Sequence, residues 1–151
     1  MTEKVPARYG SVTPYLVVDG AAGLLEFLAK VFEGKEEGDR MTGPDGKILH
    51  SEIDIGGRIV MAMDAREPGG EMPAMLNVYV EDCDAVFGRA LEAGATEIQP
   101  LTDQFYGDRS GAVRDGWGNM WWISTHVEDV DPEEMGRRAQ EFAAQQAQQQ
   151  T

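Results

Sequence analysis

The sequence predicts an α+β fold made of two tandem βαβββ modules followed by a C-terminal helix. Three observations carry this reading. The 151 residues are one domain's worth of chain, enough to bury roughly 70% of the surface that the unfolded form exposes. A short β-rich run followed by an amphipathic helix occurs twice, and laying Val18-Asp19 on Val80-Glu81, an offset of 62, also lays Leu24-Leu25 on Val86-Phe87. After each helix come apolar runs broken by turn residues.

In chain order, Val12 to Val18 reads as a strand closed by Asp19-Gly20, and Leu24, Leu25, Leu28, Val31 and Phe32 then recur at helical spacing. An extended piece fills Gly34 to Thr42. Lys47 to Ile55 and Arg58 to Asp64 are two strands joined at Gly56-Gly57, a two-residue hairpin signal. Ala65 to Ala74, with Glu67-Pro68-Gly69-Gly70 and Met72-Pro73, is loop chemistry, either a linker or a flap over a site. The second copy opens with Met75 to Val80, and Asp82 caps a helix that Gly94 stops. Ala95 to Leu101, Ser110 to Asp115 and Asn119 to His126 supply its remaining strands. Asp131-Pro132-Glu133-Glu134 starts an exposed helix that runs into Ala-Gln repeats. The expected division is therefore a domain over 11–130, with modules 11–64 and 75–130, and a helical tail over 131–151.

Composition narrows the function classes. Thirteen Lys and Arg face 27 Asp and Glu, a net charge of −14, which repels nucleic acid and anionic lipid alike. The single cysteine, Cys83, excludes an internal disulfide framework and a multi-cysteine zinc site. With no apolar run of membrane-spanning length and no signal-peptide pattern near Met1, a cytoplasmic setting is expected.

The opening TPYLVVDGAAGLLEFLAKVF, the central LNVYVEDCDAVFGRALEAGA and the late DQFYGDRSGAVRDGWGNMWWISTHVEDV together resemble the vicinal oxygen chelate superfamily, the group of glyoxalases, bleomycin-resistance proteins and extradiol dioxygenases. The sequence is most similar to its PhnB-like, glyoxalase-like branch. The resemblance implies a cupped mixed sheet with a cavity inside, and in family enzymes a divalent metal held by His and Glu. The family's ligand positions fall on Thr13, Met61, Met75 and Trp122, whose hydroxyl, thioether and indole groups do not substitute for such ligands. No metal or other cofactor is therefore expected, with a divalent cation as the minority alternative.

A two-residue turn at Gly56-Gly57 sets Glu52 opposite Met61 and His50 opposite Met63, so His50, Glu52 and Asp54 share the face that the resemblance makes the cavity. Leu49, Ile53, Ile55, Val60 and Ala62 would face the helices. His50 and Glu52 suit a general acid/base pair or two metal ligands; the bland alternative is a polar patch, the two bonded to each other or to Arg40. Tyr15, Asn77 and Tyr79 are in phase with Thr13 and Met75, while Trp122 belongs with the cavity and Trp121 with the helix side. Met61, Met63, Met75, Tyr79 and Trp122, with Tyr106 at the edge, would line a cavity suited to a flat organic molecule, or would simply fill it. Asp108 and Arg109 read as a clamp, and His126 as surface. The reading that follows is a metal-independent binder of a small aromatic or drug-like molecule, of the bleomycin-resistance type and homodimeric. The alternative is a lyase or isomerase using His50 and Glu52.

Overall fold

The computed structural model describes residues 1–150. Its elements run β1 (Tyr15–Val18), α1 (Ala21–Phe32), β2 (Lys35–Glu36), β3 (Met41–Thr42), β4 (Ile48–Ile55), β5 (Arg58–Asp64), β6 (Met75–Tyr79), α2 (Cys83–Glu92), β7 (Thr96–Asp103), β8 (Asp108–Arg114), β9 (Met120–His126) and α3 (Pro132–Gln149). They form two mixed sheets, β1-β5-β4-β2 with β3 also on β4, and β6-β9-β8-β7. In each, the first and last strands of the module pair in parallel and the others pair antiparallel.

The first strand begins later than the sequence suggests: Val12 is exposed, and Pro14, which has no N–H to donate, joins β5 only through its carbonyl, accepting from Met61 N at 2.9 Å. The extended piece from Gly34 to Thr42 splits into β2 and β3, both on β4. Between them Gly38 holds a φ of 70°, a conformation that costs other residues more. Met41 pairs with His50 and Thr42 with Ile48, so Leu49 is an extra residue in β4. This bulge turns Leu49 outward and puts Ile48 in the core, correcting the expectation that Leu49 packs under the helices.

Helix α1 buries Leu24, Leu25, Leu28 and Val31 completely, each contributing on the order of 2 kcal/mol of apolar burial. Its N-cap is Gly20, which has no side chain to cap with. The Asp64 carboxylate, arriving from β5, accepts from Gly20 N and Ala21 N at 2.9 and 2.7 Å and from Ile48 N at 2.8 Å. Burial raises the Asp64 pKa, but the three N–H donors outweigh it and hold the carboxyl below its ordinary value. In α2, Asp82 does its own capping, accepting from Ala85 N at 3.1 Å.

One apolar cluster draws on both modules: Leu16, Val18, Ile53, Ile55, Val60 and Ala62 with α1, and Val113, Trp121 and Ile123 with α2. Phe32 stacks on Trp121 with centroids 5.2 Å apart, and the Arg89 guanidinium donates to Val31 O at 2.8 Å. Trp117, at the β8–β9 corner, lies against the start of α1 so closely that a Cβ on Gly23 would stand 2.7 Å from its ring. The helix-bearing faces of both sheets thus share one core, and the opposite face of each sheet is left open. The connection 65–74 lies along the free edge of β1, bridged there by Val17 and Met72.

Candidate functional site

The β4–β5 hairpin turns at Gly56 and Gly57, with φ of 59° and 90°, and its register sets Glu52 against Met61. On the other side of β5, Met61 pairs with Tyr15. A row of Tyr15, Met61 and Glu52 therefore crosses the open face of the first sheet, with His50 beside it. The His50 ring bonds Glu52 Oε2 through Nε2 at 2.9 Å and the Tyr15 hydroxyl through Nδ1 at 2.8 Å.

Two further partners come from the N-terminal segment, which sequence reasoning left outside the site. Tyr9 OH donates to Glu52 at 2.8 and 3.0 Å, and the Arg8 guanidinium donates to Oε1 at 2.8 Å. Arg40, expected as a possible partner, bonds Glu36 instead. Burial raises the Glu52 pKa, while His50, Tyr9 and Arg8 together outweigh it and keep the group ionised below the usual carboxylate range. The bond to Glu52 raises the Tyr9 pKa, and burial raises that of Tyr15. Thr13 is half-buried, its hydroxyl bonded to Tyr9 O. Met63 is half-buried on the same face as Met61.

The open face of the second sheet carries Met75, Asn77 and Tyr79 on β6 and Trp122 on β9, with Asn77 paired to Trp122. Met75 and Tyr79 are 69% and 60% exposed, against complete burial for Trp121 on the other face. Ser124 Oγ donates to Asn77 Oδ1 at 2.7 Å. At the rim, Tyr79 OH donates to the buried Asp108 at 2.5 Å. His126 bridges Asp108 at 2.8 Å and Asp129 at 2.7 Å, and these two carboxylates raise its pKa. Asp108 and Arg109 are therefore no clamp: Arg109 grips Asp84 instead, at 2.9 Å twice, and reaches Asp103. His126 is exposed as expected but bonded on both ring nitrogens. Tyr106, half-exposed, packs edge-on to Phe105, which also meets Phe142 of α3.

The residues singled out from the sequence thus divide between two faces. Thr13, Tyr15, His50, Glu52, Met61 and Met63 are together on the first; Met75, Asn77, Tyr79 and Trp122 are on the second. The hydrogen bonds described above stay within their own face. Asn77 and Tyr79 also border a cleft of about 330 Å³ shared with Pro14, Arg58 and Val60 of the first module. A larger cleft, about 740 Å³, runs past Phe32, Tyr79, Val86 and Arg89.

The positions matched to family metal ligands do not suit a cation: thioethers at 61 and 75, an indole at 122 and a hydroxyl at 13 already bonded to Tyr9 O. Among the described residues no three His, Cys, Asp or Glu side chains converge as a metal set, and no helix is long and apolar enough to cross a membrane.

The comparisons with known proteins agree with the fold. A family model described as the glyoxalase/bleomycin resistance protein/dioxygenase superfamily matches residues 8–123. An uncharacterized protein of Mycobacterium bovis is 39% identical over 136 residues, covering 83% of this chain and 89% of that protein. Among solved structures, TioX from Micromonospora is 30% identical with a TM-score of 0.61, over 78% of this chain and 100% of that one. The fosfomycin resistance protein FosX from Mesorhizobium loti shares the fold at 17% identity and a TM-score of 0.58, over 77% and 91% of the two chains.

Proposed function

This chain belongs to the glyoxalase/bleomycin resistance protein/dioxygenase superfamily, and from that premise we propose that it is a metal-independent binder of a small organic molecule, aromatic or drug-like in character. The observation that carries the reading is the lining of the open faces. Tyr15, Met75 and Tyr79 stand exposed beside the half-buried Met61, Met63 and Trp122, a surface of aromatic rings and adaptable thioethers. The donor chemistry at the four family ligand positions supports binding without a cation.

The proposal includes a homodimer. Among the described residues strand β6 pairs only with β9, so its outer edge and the exposed Met75 and Tyr79 beside it are open to a second copy. The net charge of −14 opposes association, so dimerisation strengthens with salt. Sedimentation showing a monomer at every salt concentration contradicts this part.

A second reading rests on one contact. His50 and Glu52 are hydrogen-bonded, and a His oriented by a carboxylate on one nitrogen and a phenol on the other has the parts of a general acid/base for a lyase or isomerase. Two variants separate the readings once thermal-shift screening has found a ligand. Trp122→Ala removes a ring from the binding face and weakens binding by roughly 2 kcal/mol; unchanged affinity places the site elsewhere. Glu52→Gln leaves a neutral ligand bound, whereas turnover falling about 100-fold establishes the enzyme.

A further inference from the structure

Glu52 lies on a paired strand with its side chain 11% exposed, and the cation it holds lies on a segment with neither helix nor strand, shaped by a turn from Pro6 to Gly10. The two ends of this ion pair are unequal. A carboxylate this buried is costly to leave without a positive partner, and its position is fixed by Met61 across the ladder. The Arg8 side chain is 51% exposed. It contacts Glu52 through one guanidinium nitrogen, where Arg109 grips Asp84 and Arg40 grips Glu36 through two. It is the replaceable end.

What surrounds Glu52 is also what an organic cation needs. Arg8 itself lies over the Tyr9 ring, 4.9 Å from its centroid, a geometry in which the ring quadrupole attracts a cation. Tyr15 stands edge-on to His50 with centroids 5.7 Å apart, and Met61 pairs with both Glu52 and Tyr15 in the ladder. A planar cation entering here exchanges one positive partner for another, so the desolvation of Glu52, already met in the resting protein, is not met again.

We propose that Glu52 is the cation subsite of the ligand-binding face, held at rest by Arg8 and taken over by an amidinium, guanidinium or ammonium group of an aromatic ligand. The Arg8 guanidinium is then an internal competitor that the ligand displaces, and the Tyr9 ring beneath it stays to receive the ligand's cation. This inference rests on the open face being a ligand site, and it adds that the ligand is an organic cation.

The test uses two near-isosteric probes, benzamidinium and neutral benzamide, titrated calorimetrically into the whole chain. The expected result is tighter binding of benzamidinium, a further gain of about tenfold in Arg8→Ala for that probe alone, and loss of the preference in Glu52→Gln. Arg8 is on an exposed segment, so its variant carries the test even where Glu52→Gln fails to fold. Equal affinities in the unaltered protein, or no gain for benzamidinium in Arg8→Ala, overturn the proposal, as does the absence of benzamidinium binding to both. Equal binding of the two probes, weakened alike by Met61→Ala, removes the cation subsite and leaves the apolar binding face standing. A benzamidinium preference with the affinities of both probes unchanged by Met61→Ala and Trp122→Ala keeps the subsite and removes the apolar face.

Discussion

The two modules share one topology and differ in what the same ladder positions carry. Glu52 and Ala112 occupy equivalent places, the first paired with Met61 and the second with Trp122. The first sheet thus carries a charged, hydrogen-bonded array on its open face, and the second a broad indole beside a buried alanine. The second module places its carboxylate at the rim instead, where Asp108 holds Tyr79 and His126. Duplication supplied the frame twice, and divergence left one polar half and one aromatic half.

The same divergence runs through the shared core, and there it has the largest energetic consequence. Trp121 and Val60 are equivalent positions, both in the core cluster. Trp121 packs against Phe32, and its Nε1 donates to Asp115 at 2.9 Å. Trp121→Ala is expected to cost roughly 4 kcal/mol of stability, against roughly 1.5 kcal/mol for Val60→Ala, in urea unfolding. Equal losses would mean that the two halves contribute alike to the core.

A smaller asymmetry is expected between Asp54 and Asp115, two carboxylates near the hairpin corners that stand one ladder position apart. Asp115 is buried and accepts from Trp117 N, Asn119 N, Asn119 Nδ2 and Trp121 Nε1 at 2.8 to 2.9 Å. Asp54 accepts from Gly57 N at 2.7 Å, near solvent. Asp115→Ala leaves buried donors unpaired and is expected to cost roughly 3 kcal/mol, whereas Asp54→Ala costs about 1 kcal/mol or less. Comparable shifts in the denaturation midpoint would contradict this contrast.

The two polar clusters respond to pH in opposite directions. Glu52 has its pKa depressed on folding, so its contribution is complete above the ordinary carboxylate pKa and is lost as pH falls through the depressed value. His126 has its pKa raised by Asp108 and Asp129, so its contribution is complete below the ordinary imidazole value and is lost as pH rises through the raised one. Thermal melts across pH should lose an acid-side dependence in Glu52→Gln and a neutral-to-alkaline one in His126→Gln. A reversal of these assignments would show that the charges act through other partners.

Much of this arrangement is legible in the sequence where period and turn chemistry act locally. Gly56-Gly57 fixes the β4–β5 register, and alternation then puts Glu52 beside Met61. The repeat places Trp122 where Met61 stands. Local rules fail at Leu49, because an inserted residue in β4 breaks the period of two without any glycine or proline to mark it. They fail also for Arg8 and Tyr9, whose role depends on a contact 43 and 44 residues along the chain. The bond between His126 and Asp108 escaped for the same reason: spacing along the chain does not report which rim groups meet once β8 and β9 pair.

Native mass spectrometry of the purified chain, before and after soaking with nickel or zinc, tests the central claim most directly. Binding without a metal predicts the mass of a dimer with a retained or added small organic molecule and no stoichiometric ion. One tightly held cation per chain, lost on substitution at Met61, Met75 or Trp122, would contradict it.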